Sequence, residues 1–430
     1  MNNLKKENSK ENLNWRRLDN SAKIFPISTG KKYSTVFRIS ALLKEKIDPK
    51  ILKQALNITL DRYKIFKVKM KAGFFWYYLE ENNKEPIIEE EKDYPCKYID
   101  PKRNNDYLFK VTYFDRKINI DIFHALTDGG SGIVFFREMI YLYLEIKYPN
   151  AFDKDARLLR KIDYTTEDSY IKNYSKIVKG NSSAQKAYAL KGKKIKLGAI
   201  SAIHEIINLE ELKEECRKNN ATVTQYLTAV LIYSIYKENY LKNKSSKPIK
   251  VCIPVNLKKY FPSKTMSNFF SYITLIADME NTDTFEKILE FVKDDFKKRL
   301  TEEEILKTMS ANVKLGNNIF IKTIPLILKK IIVRLSYIEI RKYTTITFSN
   351  IGRIGIIGNY KDYIDNFFML IAPEPVEKIK CAGCTFENKM VFTFTSILND
   401  NSIERRFYKF LKERGIEVQI ESNGVLNDIS

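Results

Sequence analysis

Between Tyr107 and Tyr148 the chain changes its hydrophobic period once, and that change restricts what it can fold into. Lys117 to Phe123 alternates, with Ile118, Ile120 and Ile122 on one face and Asn119, Asp121 and Phe123 on the other, which is the period of a strand. Tyr107 to Phe114, just before it, is also strand-like. Beyond Gly129-Gly130 the pattern becomes that of a long helix, Ile133 to Tyr148, stopped by Pro149-Asn150. Residues 124–128 therefore lie where a strand hands over to a helix.

The flanking chain continues this mixture without strict strand–helix–strand alternation. Asp48-Pro49 opens a helix that ends near Tyr63, with Leu52, Ala55, Leu56 and Leu60 at helical spacing. Strands are predicted at Phe66–Met70, Phe74–Leu79, Ile200–Ile207, Ile249–Val255, Thr344–Ser349, Ile379–Phe386, Met390–Ser396 and Ile416–Ile420. Helices are predicted at Leu209–Lys218, Val223–Tyr240, Phe285–Leu300, Glu302–Lys314, Ile321–Lys342 and Ile403–Arg414. At 430 residues the chain is long enough for two lobes, each of α+β class. The Lys-, Gly- and Ser-rich stretch Lys176 to Lys196 has weak periodicity, which places a linker over 181–200 between an N-terminal lobe, 1–180, and a C-terminal lobe, 201–430.

Composition narrows the function classes. A chain with 44% hydrophobic and 13% aromatic residues buries a large core and is not disordered. No stretch reaches the roughly 18 apolar residues of a membrane span, and the start lacks a signal-peptide core, so the predicted location is cytoplasmic. Five cysteines, mostly scattered, fit a reducing compartment; Cys381-Ala-Gly-Cys384 lies among strand residues with no second pair, and reads as two buried small side chains. The net charge of +21 is spread along the chain without a nucleic-acid-binding motif, which argues against nucleic acid and for attraction of anionic ligands such as a nucleotide-bearing cofactor.

The chain has two histidines, His124 and His204. His204 lies in an alternating strand with no reactive neighbour. His124 follows an apolar strand, with Asp128 four residues on and then two glycines. An imidazole titrates near neutrality and can take the proton of an alcohol, amine or thiol attacking an acyl carbon. Asp128 can hold the loop by a charged hydrogen bond, and Gly129-Gly130 permit a close approach. On these residues alone a second account stands equally: His124 as a satisfied strand-end histidine, Asp128 as the N-cap of the next helix.

His124-Ala-Leu-Thr-Asp128-Gly129, between an alternating strand and a helix, resembles the His-x-x-x-Asp-Gly signature of the CoA-dependent acyltransferase superfamily. That superfamily contains chloramphenicol acetyltransferase, condensation domains of peptide synthetases and alcohol acetyltransferases. Trp15–Ala22, Arg62–Phe66 and Gly73–Tyr77 resemble segments of the bacterial alcohol acetyltransferase-like branch. Pro254-Val-Asn-Leu-Lys258 is similar to the second-lobe motif whose basic residue pairs with the signature aspartate, and Ser349-Asn350-Ile-Gly352 to a motif near the donor tunnel.

The resemblance implies two chloramphenicol-acetyltransferase-like lobes with the active-site channel between them. It implies direct acyl transfer, acetyl in the first instance, from acyl-CoA as co-substrate to an alcohol, without a metal or a permanently bound cofactor. His124 is then the general base, Asp128 and Gly129 shape its loop, Lys258 pairs with Asp128 from the other lobe, and Ser349 or Asn350 supplies an oxyanion or substrate contact. Two departures stand out: Phe123 where many relatives have a first histidine, and Lys258 where they have arginine. Two alternatives stay open, an enzyme taking acyl groups from an acyl carrier protein and a binding homologue without chemistry. Phe320 to Lys342, apolar but interrupted by Lys322, Lys329, Lys330, Arg334 and Arg341, is predicted as a basic amphipathic helix packed on the second lobe rather than on a membrane surface.

Overall fold

The computed structural model describes residues 15–30, 34–152, 163–175, 185–316 and 323–426. The first residues of the expected linker, 181–184, and the first two of the expected helix at 321 lie outside these. The fold is α+β, built on two large sheets.

A five-stranded sheet runs in the order Ile364–Ile371, Val36–Leu43, Lys117–Phe123, Phe109–Phe114, Ile88–Glu90. Its strand Lys117–Phe123 has the predicted limits. Helices Pro49–Arg62 and Gly129–Lys147 pack together beside this sheet. Asp48 caps the first of them, its side chain accepting from the amides of Lys50 and Ile51 at 2.8 and 3.2 Å. The second starts four residues before Ile133 because Asp128 caps it. Three glycines in its first turn would be poor helix formers elsewhere. Here Gly132 has a packing reason: a Cβ would lie 3.0 Å from Ile122 and 3.2 Å from Phe37.

A seven-stranded sheet runs Phe270–Ala277, Ile249–Asn256, Ile346–Arg353, Ile379–Phe386, Lys389–Ser396, Ser201–Asn208, Val418–Ser422. Helices Leu209–Lys218, Val223–Ile235, Phe285–Arg299 and Ser402–Glu413 cover one face, forming the second core. The other face joins the first core through Ala382, Cys384 and Val391. Cys381 and Cys384 are therefore buried on opposite faces of one strand, Cys384 donating to the Phe367 carbonyl. Among the described residues no helix is long and apolar enough to cross a membrane.

Five strands come in addition to those read from the sequence: Trp15–Arg17, Val36–Leu43, Ile88–Glu90, Phe270–Ala277 and Ile364–Ile371. Ile364–Ile371 belongs to the second half of the chain but pairs antiparallel with Val36–Leu43 in the first sheet, Ile371 opposite Phe37. Val36 is in turn opposite Phe123. The ends of three strands thus align where the strand Lys117–Phe123 delivers His124.

Candidate active site

His124 leaves the end of its strand with its amide still donating to the Thr35 carbonyl at 3.0 Å. Its Nδ1 lies 3.0 Å from Oδ1 of Asn268. The orientation of that amide follows from its other contacts. Asn268 Nδ2 donates to Asp19 Oδ2 and to the His124 carbonyl, each at 3.0 Å, and both partners only accept. Oδ1 must then face the ring, so Nδ1 carries the hydrogen and Nε2 keeps its lone pair. Burial holds the imidazole pKa below its ordinary value, against the opposing pull of the Asp128 charge, which favours the neutral base. Phe25 stacks on the ring at 4.6 Å, Phe37 meets it edge-on at 5.2 Å, and Phe270 lies at 5.3 Å.

Asp19 anchors the far end of this relay. It accepts from the Asn268 amide nitrogen as well, at 3.1 Å, and from Ala22 at 2.8 Å. Burial raises its carboxyl to about 6, although those hydrogen bonds oppose the shift.

Asp128 performs two tasks at once. One oxygen accepts from the Ser131 amide at 2.8 Å as the helix N-cap, and the other from the Phe269 amide at 2.9 Å. The loop is thereby tied to the segment leading into the strand Phe270–Ala277, where Thr127 also donates to the Met266 carbonyl at 2.6 Å. The expected pairing of Asp128 with Lys258 is corrected here: Lys258 Nζ donates to the Ser131 hydroxyl at 2.9 Å, one step away from the carboxylate. Each Asp128 oxygen meets a backbone amide instead, and Lys258 Nζ is placed on the hydroxyl of the residue whose amide Asp128 caps.

Gly129 faces the Ser349–Gly352 segment. A Cβ there would stand 3.0 Å from Met369 and 3.6 Å from Ile351. Asn350 is committed locally: Nδ2 donates to Thr224 Oγ1 and Oδ1 accepts from the Gly352 amide, both at 3.0 Å, bracing a strand irregularity where Gly352 has φ of +77°. Ser349 lies half-buried one residue earlier in the strand. A cavity of about 680 Å³ opens at the same end of the five-stranded sheet, reaching Ser34 and Ala372; its lining includes Lys92, Arg103, Lys194 and Lys196 but not His124 itself.

Sequence reasoning missed Asn268, Asp19 and the three rings around His124. Asp19 does lie within Trp15–Ala22, one of the segments that carried the resemblance. Asn268 precedes an unrecognised strand, and no spacing marks it.

A family model for alcohol acetyltransferases matches residues 115–352, spanning the His124 strand, its loop and the Ser349 segment. The chain belongs to the alcohol acetyltransferase family. It is thus an acyltransferase by family. Its fold is similar to that of TRI101 from F. graminearum complexed with coenzyme A and deoxynivalenol, with TM-score 0.63 and 11% identity over 94% of this chain and 99% of that one. The TRI3 trichothecene 15-O-acetyltransferase from Fusarium sporotrichioides is similar at TM-score 0.62 and 8% identity, covering 93% and 94%. The first condensation domain of the CDA synthetase is similar at TM-score 0.55 and 11% identity, covering 93% and 95%. No curated protein matches the sequence.

Proposed function

We infer that this alcohol acetyltransferase-family chain moves an acyl group, in the simplest case acetyl, from acyl-CoA to an alcohol in one direct step. The observation that carries the reading is the Asn268–Asp19 relay on His124 Nδ1, from which a lone pair on Nε2 follows. Nε2 takes the hydroxyl proton as the oxygen attacks the thioester carbonyl; the new C–O bond forms, the C–S bond breaks, and the proton passes to the departing thiolate. Such a base contributes about 10²- to 10⁴-fold in rate. Asp128 and Gly129 act as positioning residues, one tying the loop to Phe269, the other giving room beside Ile351. Lys258 supports the same loop through Ser131.

The thioester oxygen develops negative charge and needs a donor, worth about 10²- to 10³-fold in rate. Ser349 is assigned that contact ahead of Asn350, whose amide braces the turn. The cations Lys92, Arg103, Lys194 and Lys196 around the cavity suit the phosphates of CoA. Mixing acetyl-CoA with a panel of alcohols is expected to release free thiol only when both are present. Full turnover by His124→Ala would sink this mechanism, and a reaction with carrier-loaded acyl groups but none with acyl-CoA would reassign the donor.

A further inference from the structure

The helix Leu326–Arg341 is built inside out. Its inward stripe, Leu326, Lys329, Val333, Tyr337 and Arg341, follows helical spacing but is mostly polar. Lys329 is buried, donates to the Phe75 carbonyl at 2.9 Å and stands 3.5 Å from the Trp76 ring centre. Tyr337 bonds Glu374, and Arg341 bonds Glu374 and Glu377. The aliphatic residues point the other way. Ile327 is 77% exposed and Leu335 65%, and Ile331, Ile332, Ile338 and Ile340 are exposed beside them.

The turn of a hairpin extends this surface. The Leu326 amide donates to the Phe74 carbonyl at 2.8 Å, and Phe74 is itself 72% exposed. Two unconnected elements therefore present one apolar face, larger than the scattered exposed residues of an ordinary surface. Of the four cations within Leu326–Arg341, Lys329 and Arg341 turn inward, while Lys330 and Arg334 stand among the exposed aliphatics with Glu339, in a chain of net charge +21. A positive, aliphatic face of this kind is complementary to an anionic bilayer, whose headgroups attract the cations and whose acyl boundary accepts the side chains. The helix also adjoins the candidate site. This helix packs against Phe25–Ser28, and Phe25 stacks on His124.

We propose that the helix Leu326–Arg341 and the Phe74–Phe75 turn seat the protein on an anionic lipid surface, presenting the His124 site to alcohols dissolved in that membrane. The second clause rests on the acyltransferase reading; the first does not. The test is flotation of the full chain with phosphatidylcholine vesicles, with and without phosphatidylglycerol. The wild type is expected to float with the anionic vesicles and to be released as salt rises. Ile331→Glu with Leu335→Glu, both at exposed positions, is expected to lose about tenfold or more of this partition while keeping its unfolding temperature.

Wild-type protein that stays unbound, or a variant that partitions equally well, overturns the proposal. So does a doubled solution mass that the variant halves without any lipid binding, since a second copy would then be the occupant. In a second arm, turnover of a long-chain alcohol held in the vesicles is expected to fall in the variant, while turnover of a short water-soluble alcohol is unchanged; equal turnover of both overturns the presentation clause. Flotation without turnover of any alcohol would instead point to failure of the acyltransferase reading, leaving the docking surface standing.

Discussion

His124 and His204 are both half-buried, both bonded through Nδ1 and both set against phenylalanine rings, yet only His124 meets a partner whose hydrogen-bonding sense is fixed. His204 sits mid-strand, opposite Thr393 on one side and Glu421 on the other, with sheet hydrogen bonding on both flanks. Its Nδ1 meets the Thr393 hydroxyl at 2.9 Å, a group that donates or accepts and so leaves the tautomer unset. Burial and the charges of Lys117 and Arg38 press its pKa down to about 3. His124 stands at a strand end, facing a loop, with a partner whose hydrogen-bonding sense is dictated by Asp19. Burial and neutrality are shared by the two residues. A fixed lone pair at the end of the sheet belongs to His124 alone, which is what the proposed general-base role requires.

The sharpest way to break this contrast is to remove each ring in turn. His124→Ala is expected to lower kcat by about 10²- to 10⁴-fold, whereas His204→Ala leaves turnover per folded molecule unchanged, measured as thiol released from acetyl-CoA. Equal losses would mean that the strand-end geometry confers nothing. Asn268→Ala comes next, since it deletes the group that sets the tautomer but leaves the base in place; we expect about 10- to 100-fold in kcat. A loss confined to KM would show that Asn268 merely packs the loop.

The third prediction concerns stability. Because the pKa of His204 falls from 6.5 unfolded to about 3 folded, its neutral form contributes stability that is fully present above pH 6.5 and is lost as pH falls toward 3. Below pH 6.5 the slope approaches about 1.4 kcal/mol per pH unit, so His204→Gln is expected to reduce the loss of unfolding free energy between pH 7 and pH 5 by about 1–2 kcal/mol. His124, also shifted downward by burial, adds acid sensitivity of the same sign. An unchanged slope in His204→Gln would place the acid-labile group elsewhere.

Much of this was legible before any coordinates. The strand Lys117–Phe123 alternates because one face meets the core, and Asp48-Pro49 marks a helix start through capping chemistry that acts within one turn. Ile364–Ile371 is buried on nearly every residue, so it shows no alternation, and its partner Val36–Leu43 lies more than three hundred residues away in sequence. The His124 motif was readable for a similar reason to the helix caps: its spacing lies within one loop. The relay was not, because Asp19, His124 and Asn268 are brought together only when a segment before one strand docks on the end of another. The inward face of the helix Leu326–Arg341 was not legible for the same reason. Periodicity showed that Leu326–Arg341 has two faces, but which of them turns inward was decided by Trp76, Glu374 and Glu377 on other elements.

The smallest expected effect separates two accounts of how the loop after His124 is held. If the cation works on the Asp128 charge itself, as the Pro254–Lys258 motif implies, removing it strands a buried carboxylate and costs about 3–5 kcal/mol. In the structure the carboxylate is satisfied by the Ser131 and Phe269 amides, and Lys258 reaches only the Ser131 hydroxyl. Lys258→Met then removes one partly exposed hydrogen bond and keeps the aliphatic stem, so the cost is expected near 0.5–1.5 kcal/mol by denaturant unfolding. Lys258→Arg should fall within the same range, because the contact being replaced is to the Ser131 hydroxyl rather than to a carboxylate. A loss of several kcal/mol in Lys258→Met, rescued by Lys258→Arg, would restore the direct ion pair and make the anchoring of His124 electrostatic rather than a matter of backbone amides.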